Sequence, residues 1–242
     1  MRPIAALLLA TGILFGGIVA NADESTGIST GFIDKTINID EKEYAYSVYI
    51  PKGYDPSKKW PFAVFLHGIG ERGDDGLLQT DVGIGRAIRR NPERFPFIVA
   101  MPQCPKDSMW DKRFDLIDSV VAQSLAELSI DEKRMYVTGL SMGGFGAWLY
   151  GAARVDKFAA ILPICGGGKI EDAPALAKIP IWAFHGAEDS VVKPEKSREM
   201  VEAVKKAGGD VKYTEYPGVN HNSWDKAYGD EEAIAWLLKQ SR

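Results

Sequence analysis

Cysteine and histidine are scarce in this 242-residue sequence, which has two cysteines, Cys104 and Cys165, and three histidines, His67, His185 and His221. None of the five lies close in sequence to another, which excludes zinc sites of the usual ligand spacing, so no metal is expected. Whether Cys104 and Cys165 bond stays open: export permits a disulfide, and two small buried thiols are the other reading. A charge excess of one sign is also missing. The chain carries 29 Lys and Arg against 33 Asp and Glu, a net charge of −4. It lacks the basic clusters that nucleic acid or an anionic membrane surface requires, so no nucleic-acid partner is expected. Repeats and low-complexity stretches are absent from the sequence as well.

Long hydrophobic runs are missing with one exception. Residues 4–19 are largely apolar, follow a single positive charge at Arg2, and lead into Ala20-Asn21-Ala22. This is the layout of a signal peptide cleaved after Ala22. The run is interrupted by Thr11, Gly12, Gly16 and Gly17 and is short against the roughly 20 apolar residues of a spanning helix; an uncleaved anchor is the alternative. With no second candidate span, no stable membrane insertion is expected after cleavage. Residues 1–22 are therefore expected to be removed. Residues 23–242 are expected to form a single domain, secreted or periplasmic, of undetermined oligomeric state.

The remaining sequence, in a chain that is 45% hydrophobic and 26% charged, is long enough to bury a substantial core. Residues 32–39 and 44–50 alternate in polarity around Asp40-Glu41, which predicts a β-hairpin. The pattern then changes. Residues 62–66, 97–101, 135–138, 159–163 and 181–184 are short continuous apolar runs, the signature of strands buried on both faces. Residues 211–216 form a weaker strand, suited to an edge. Helical spacing or composition falls at 115–128, 141–153, 193–207 and 231–239. Strands alternating with helices predict an α/β fold, with a mostly parallel central sheet, antiparallel N-terminal strands and helices on both faces.

The most specific motif is Gly139-Leu140-Ser141-Met142-Gly143. It follows a predicted strand and opens a predicted helix, the context in which G-x-S-x-G holds a nucleophilic serine on a sharp turn. A serine hydroxyl needs a base. In the α/β-hydrolase order of serine, acid, histidine, His221 is the histidine that follows the last strand. The acid belongs after the strand at 181–184, where Glu188 and Asp189 compete; the H-G-x-x-D pattern favours Asp189. The predicted catalytic set is Ser141, Asp189 and His221. His67, ending the first buried strand, is expected to order an oxyanion loop whose Ile69 N–H, with that of Met142, faces the developing oxyanion. Gly68 is the alternative to Ile69. His185 is expected to hold the acid loop, Glu71 and Arg72 to pair with each other, and Trp110 and Trp224 to contact substrate.

The segments from Leu66 to Gly73, Met101 to Pro105, Gly139 to Gly144 and His221 to Trp224 resemble secreted single-domain esterases of the α/β-hydrolase superfamily. These are the predicted-peptidase or phospholipase/carboxylesterase type, similar to polyhydroxybutyrate depolymerase-like, feruloyl and acetyl-xylan esterases. The resemblance implies ester hydrolysis through an acyl-enzyme, without a cofactor, on a small-molecule or polysaccharide ester. The sequence itself leads to the expectation of no large lid: 163–180 is the only candidate insertion between the later strands, and it is short. The favoured substrate is a plant cell-wall carbohydrate ester, feruloyl or acetyl. A broad carboxylesterase, a serine peptidase and a catalytically silent binding module are the competing expectations.

Overall fold

The computed structural model describes residues 29–242. The expected signal segment, 1–22, lies outside them. Among the described residues no helix is long and apolar enough to cross a membrane.

Among the described residues eight strands form one sheet: β1 (Gly31–Ile39), β2 (Lys42–Ile50), β3 (Trp60–Leu66), β4 (Ile98–Pro102), β5 (Ile130–Leu140), β6 (Ala160–Ile164), β7 (Ile181–Gly186) and β8 (Val211–Tyr216). Their order is β1-β2-β4-β3-β5-β6-β7-β8. β1 and β2 are antiparallel and the remaining strands run parallel. The hairpin turns at Asp40 and Glu41, both at positive φ (49° and 63°); that left-handed pair matches the right-handed twist of the two strands.

The apolar runs explain why the sheet is covered twice. Successive strand residues face opposite sides, so Phe62, Val64 and Leu66 enter one core while Ala63 and Phe65 enter the other. The first face packs against α2 (Phe114–Glu127), α3 (Met142–Ala153), α4 (Ala173–Leu176) and α5 (Glu195–Lys206), the second against α1 (Gly83–Arg90), α6 (Trp224–Gly229) and α7 (Glu231–Lys239). The 163–180 stretch forms no lid: its α4 tucks Ala173 and Leu176 into the first core.

Register brings the carboxyl ends of the central strands level. Leu66 pairs with Gly139, Gly139 with Pro163, and Ile164 with Phe184. The loops leaving that edge carry Ser141, Asp189 and His221. At the opposite edge, β1 starts from Gly31 alongside the beginnings of the parallel strands, and Arg242 donates its N–H to the Lys133 carbonyl near the start of β5 (3.0 Å).

Candidate active site

Ser141 stands between β5 and α3 at φ 53° and ψ −119°, outside the ordinary regions for an L-residue. Close packing enforces the turn. A Cβ on Gly143 would lie 1.8 Å from the Leu66 carbonyl oxygen, and one on Gly139 would lie 2.2 Å from that of Gly143. The chain passes only because neither has a side chain. The Ser141 N–H donates to the Ile164 carbonyl (3.0 Å) and lies 3.3 Å from the Cys165 sulfur. Met142 opens α3, where the first amides of a helix lack intrahelical acceptors and carry positive partial charge.

Two loops complete a hydrogen-bonded line. Ser141 Oγ lies 2.9 Å from His221 Nε2, and His221 Nδ1 donates to Asp189 Oδ2 at 2.7 Å. Asp189 Oδ1 accepts the amides of Val191 and Val192, both at 2.9 Å. Burial works against the Asp189 anion, but the His221 hydrogen bond and the two amides outweigh it, and the carboxyl is held below its ordinary pKa. Glu188, the rival acid, is exposed. Asn220 ties the two loops together: its Oδ1 accepts from Ser190 N, Ser190 Oγ and His221 N at 3.0, 3.1 and 2.7 Å. Nothing local in the sequence marks Asn220 for this role.

The loop after β3 has its own lock. The Cys104 amide donates to His67 Nε2 (2.9 Å), so the ring proton sits on Nδ1 and points at the Gly68 carbonyl (2.6 Å). Burial lowers the His67 pKa to about 4, keeping the ring neutral. Ile69 follows in a single 3-10 turn, its side chain exposed. Glu71 and Arg72 do not pair as expected. Arg72 donates to the carbonyls of Ile69 and Ser108 at 3.2 and 3.1 Å. The Glu71 carboxylate turns back on Gly68, whose added Cβ would meet Glu71 Oε2 at 3.0 Å; burial raises its pKa against the favourable Gly68 and Glu71 amides.

The tryptophans take two positions. Trp110 is 1% exposed and donates Nε1–H to the His67 carbonyl (2.9 Å), which puts it beneath the β3 loop. Trp224 is half-buried, its ring perpendicular to His221 at 5.3 Å. Both cysteines are free and buried, and burial pushes the Cys165 thiol up to about 12. Cys165, Asp189 and His221 present ligand atoms within 4.8 Å of one another. Asp189 and His221 are already bonded to each other and the third donor is a protonated thiol, a poor set for a cation.

Comparison with known proteins shows what the chain as a whole is similar to. A family model described as the Dienelactone hydrolase family matches residues 102–235. A protein of Aspergillus terreus named "Probable feruloyl esterase C" is 25% identical over 79% of this chain and 72% of its own length. A bifunctional acetylxylan esterase/xylanase of Neocallimastix patriciarum is 28% identical over 65% of this chain, which spans only 24% of that longer protein. The crystal structure of a thermostable esterase superposes with a TM-score of 0.80 at 38% identity, covering 87% of this chain and 63% of that one.

Proposed function

The chain belongs to the dienelactone hydrolase family of ester hydrolases, and from that premise we propose that it is an exported serine esterase acting on plant cell-wall carbohydrate esters, feruloyl or acetyl. The observation that carries the mechanism is the line Asp189–His221–Ser141, at 2.7 and 2.9 Å. His221 Nε2 takes the hydroxyl proton as Ser141 Oγ attacks the ester carbonyl carbon. Asp189 holds the tautomer that leaves Nε2 free and stabilises the imidazolium that forms. The Ile69 and Met142 amides receive the oxyanion. Ile69 is preferred to Gly68 because the Glu71 carboxylate already faces Gly68. The tetrahedral intermediate collapses, His221 returns the proton to the leaving alcohol, and water repeats the sequence to release the acid. Residues 1–22 direct export and 23–242 form the catalytic domain.

The names of the A. terreus and N. patriciarum relatives support feruloyl or acetyl esters on polysaccharide. A broad carboxylesterase is the second reading, favoured by the exposed apolar side chains of Ile69, Met109, Ile170 and Val191 on loops leaving the Ser141 edge. The test has two parts. A fluorophosphonate should label the wild type and not Ser141→Ala, with at least about 10⁴-fold loss of esterase activity in the variant; an unlabelled wild type refutes the serine mechanism. A panel of methyl ferulate, acetylated xylan, p-nitrophenyl esters and a peptide amide then sets the substrate. Preference for long acyl chains selects the second reading, and amide cleavage selects a peptidase.

A further inference from the structure

Asp189 has a second histidine donor. His185, at the end of β7, is fully buried. Its Nε2 lies 2.9 Å from the Val192 carbonyl and 3.2 Å from Asp189 Oδ2, the oxygen that also accepts from His221. Both of these partners are acceptors, so Nε2 carries the proton. Nδ1, left as an acceptor, lies 2.7 Å from Ser197 Oγ in the first turn of α5, whose single hydroxyl proton it shares with the Gly166 carbonyl at 2.9 Å. Burial holds the ring neutral.

We propose that His185 is a positioning residue for the acid, extending the line to Ser141–His221–Asp189–His185 and bracing it on α5 through Ser197. The proposal rests on the serine-esterase reading above. Val191 and Val192 occupy Oδ1, while His221 and His185 occupy Oδ2, so the carboxylate cannot rotate without losing charge-assisted bonds. The His185 N–H also draws electron density from Oδ2 and moderates how strongly Asp189 stabilises the His221 imidazolium. Among the described residues, the other ionisable groups around this pair are Cys165 beyond β6 and Glu215 on β8, with Glu215 bound to Arg198 of α5 at 2.6 Å.

The experiment compares wild type, His185→Leu, His185→Gln and Ser197→Ala, measuring kcat, KM, the pH profile of kcat/KM on p-nitrophenyl acetate, and Tm. His185→Leu should lower kcat about ten- to a hundredfold, the scale of one charge-assisted hydrogen bond, with KM little changed. Its acid limb should move to higher pH, because Asp189 without its second donor holds the imidazolium more strongly. His185→Gln, which keeps an N–H, should recover part of both effects. Ser197→Ala should shift the limb the same way by less, and it decides the matter if His185→Leu does not fold. An acid limb that stays in place in every folded variant, whatever happens to Tm, overturns the proposal. Retained activity in Ser141→Ala instead refutes the parent reading.

Discussion

The turn that carries Ser141 and the two loops that carry Asp189 and His221 meet in one line of hydrogen bonds but are built differently. The turn is fixed by exclusion: backbone presses on backbone at Gly139 and Gly143, and Ser141 is left with one unusual conformation. The loops are fixed by attraction. Asn220, Val191, Val192 and His185 supply polar contacts that hold an acid and a base, neither of which sits at the positive φ that Ser141 adopts. The first kind of construction tolerates no added atom. The second degrades by degrees, one hydrogen bond at a time. A nucleophile must meet its carbonyl in a narrow geometry, whereas a base needs only to stay within reach of it.

That contrast breaks first at Gly143. Gly143→Ala forces a Cβ against the Leu66 carbonyl and should cost about 4 kcal/mol or more, the range of severe backbone conflict. Chemical denaturation of the purified variant, or its failure to accumulate as folded protein, reads this out. Stability close to wild type would mean that the turn is adaptable and the contrast mistaken.

An intermediate effect comes from His67, whose neutral ring accepts the Cys104 amide beside the turn. Its folded pKa of about 4 lies below the unfolded value of 6.5, so below that value the unfolded chain binds the extra proton more readily. The contribution is complete above pH 6.5 and is lost as pH falls toward 4, on the order of 3 kcal/mol across the window. Urea midpoints measured from pH 7 to pH 4 should fall in wild type, and the part due to His67 should vanish in His67→Gln.

The smallest effect belongs to the loops. Asn220→Ala removes three hydrogen bonds at an exposed site and should cost roughly 1 kcal/mol of stability. It should lower kcat by about tenfold through loss of His221 orientation. A larger fall in stability than in activity would place Asn220 with the rigid turn.

The fold was legible where local pattern and burial agree. Continuous apolar runs marked β3, β4, β6 and β7, and polarity alternation marked the β1–β2 hairpin. β5 starts at Ile130, earlier than expected, because Asp131, Glu132, Lys133 and Arg134 disguise its first half. α1 escaped notice because Gly83 and Gly85 open it and three arginines follow, against ordinary helix preference. Ser141, Asp189 and His221 could be chosen from motif and chain order. The contacts of Asn220 and the second bond from His185 to Asp189 could not, since each depends on how loops or ring atoms meet in space. The bond from Trp110 to the His67 carbonyl was hidden for a related reason: an aromatic residue after a strand reads the same whether it lines a cleft or supports one.

The edge at which β1 starts and Arg242 is tethered lies across the sheet from Ser141. Anything joined there, whether a solid support or a carrier domain, holds the protein by its back. The reactive edge then points outward, where an ester fixed in a bulky matrix can approach without meeting the tether. Attachment at either end should therefore leave access to large substrates intact, whereas coupling through a residue on the β3 or β7 loops would turn the serine toward its own support.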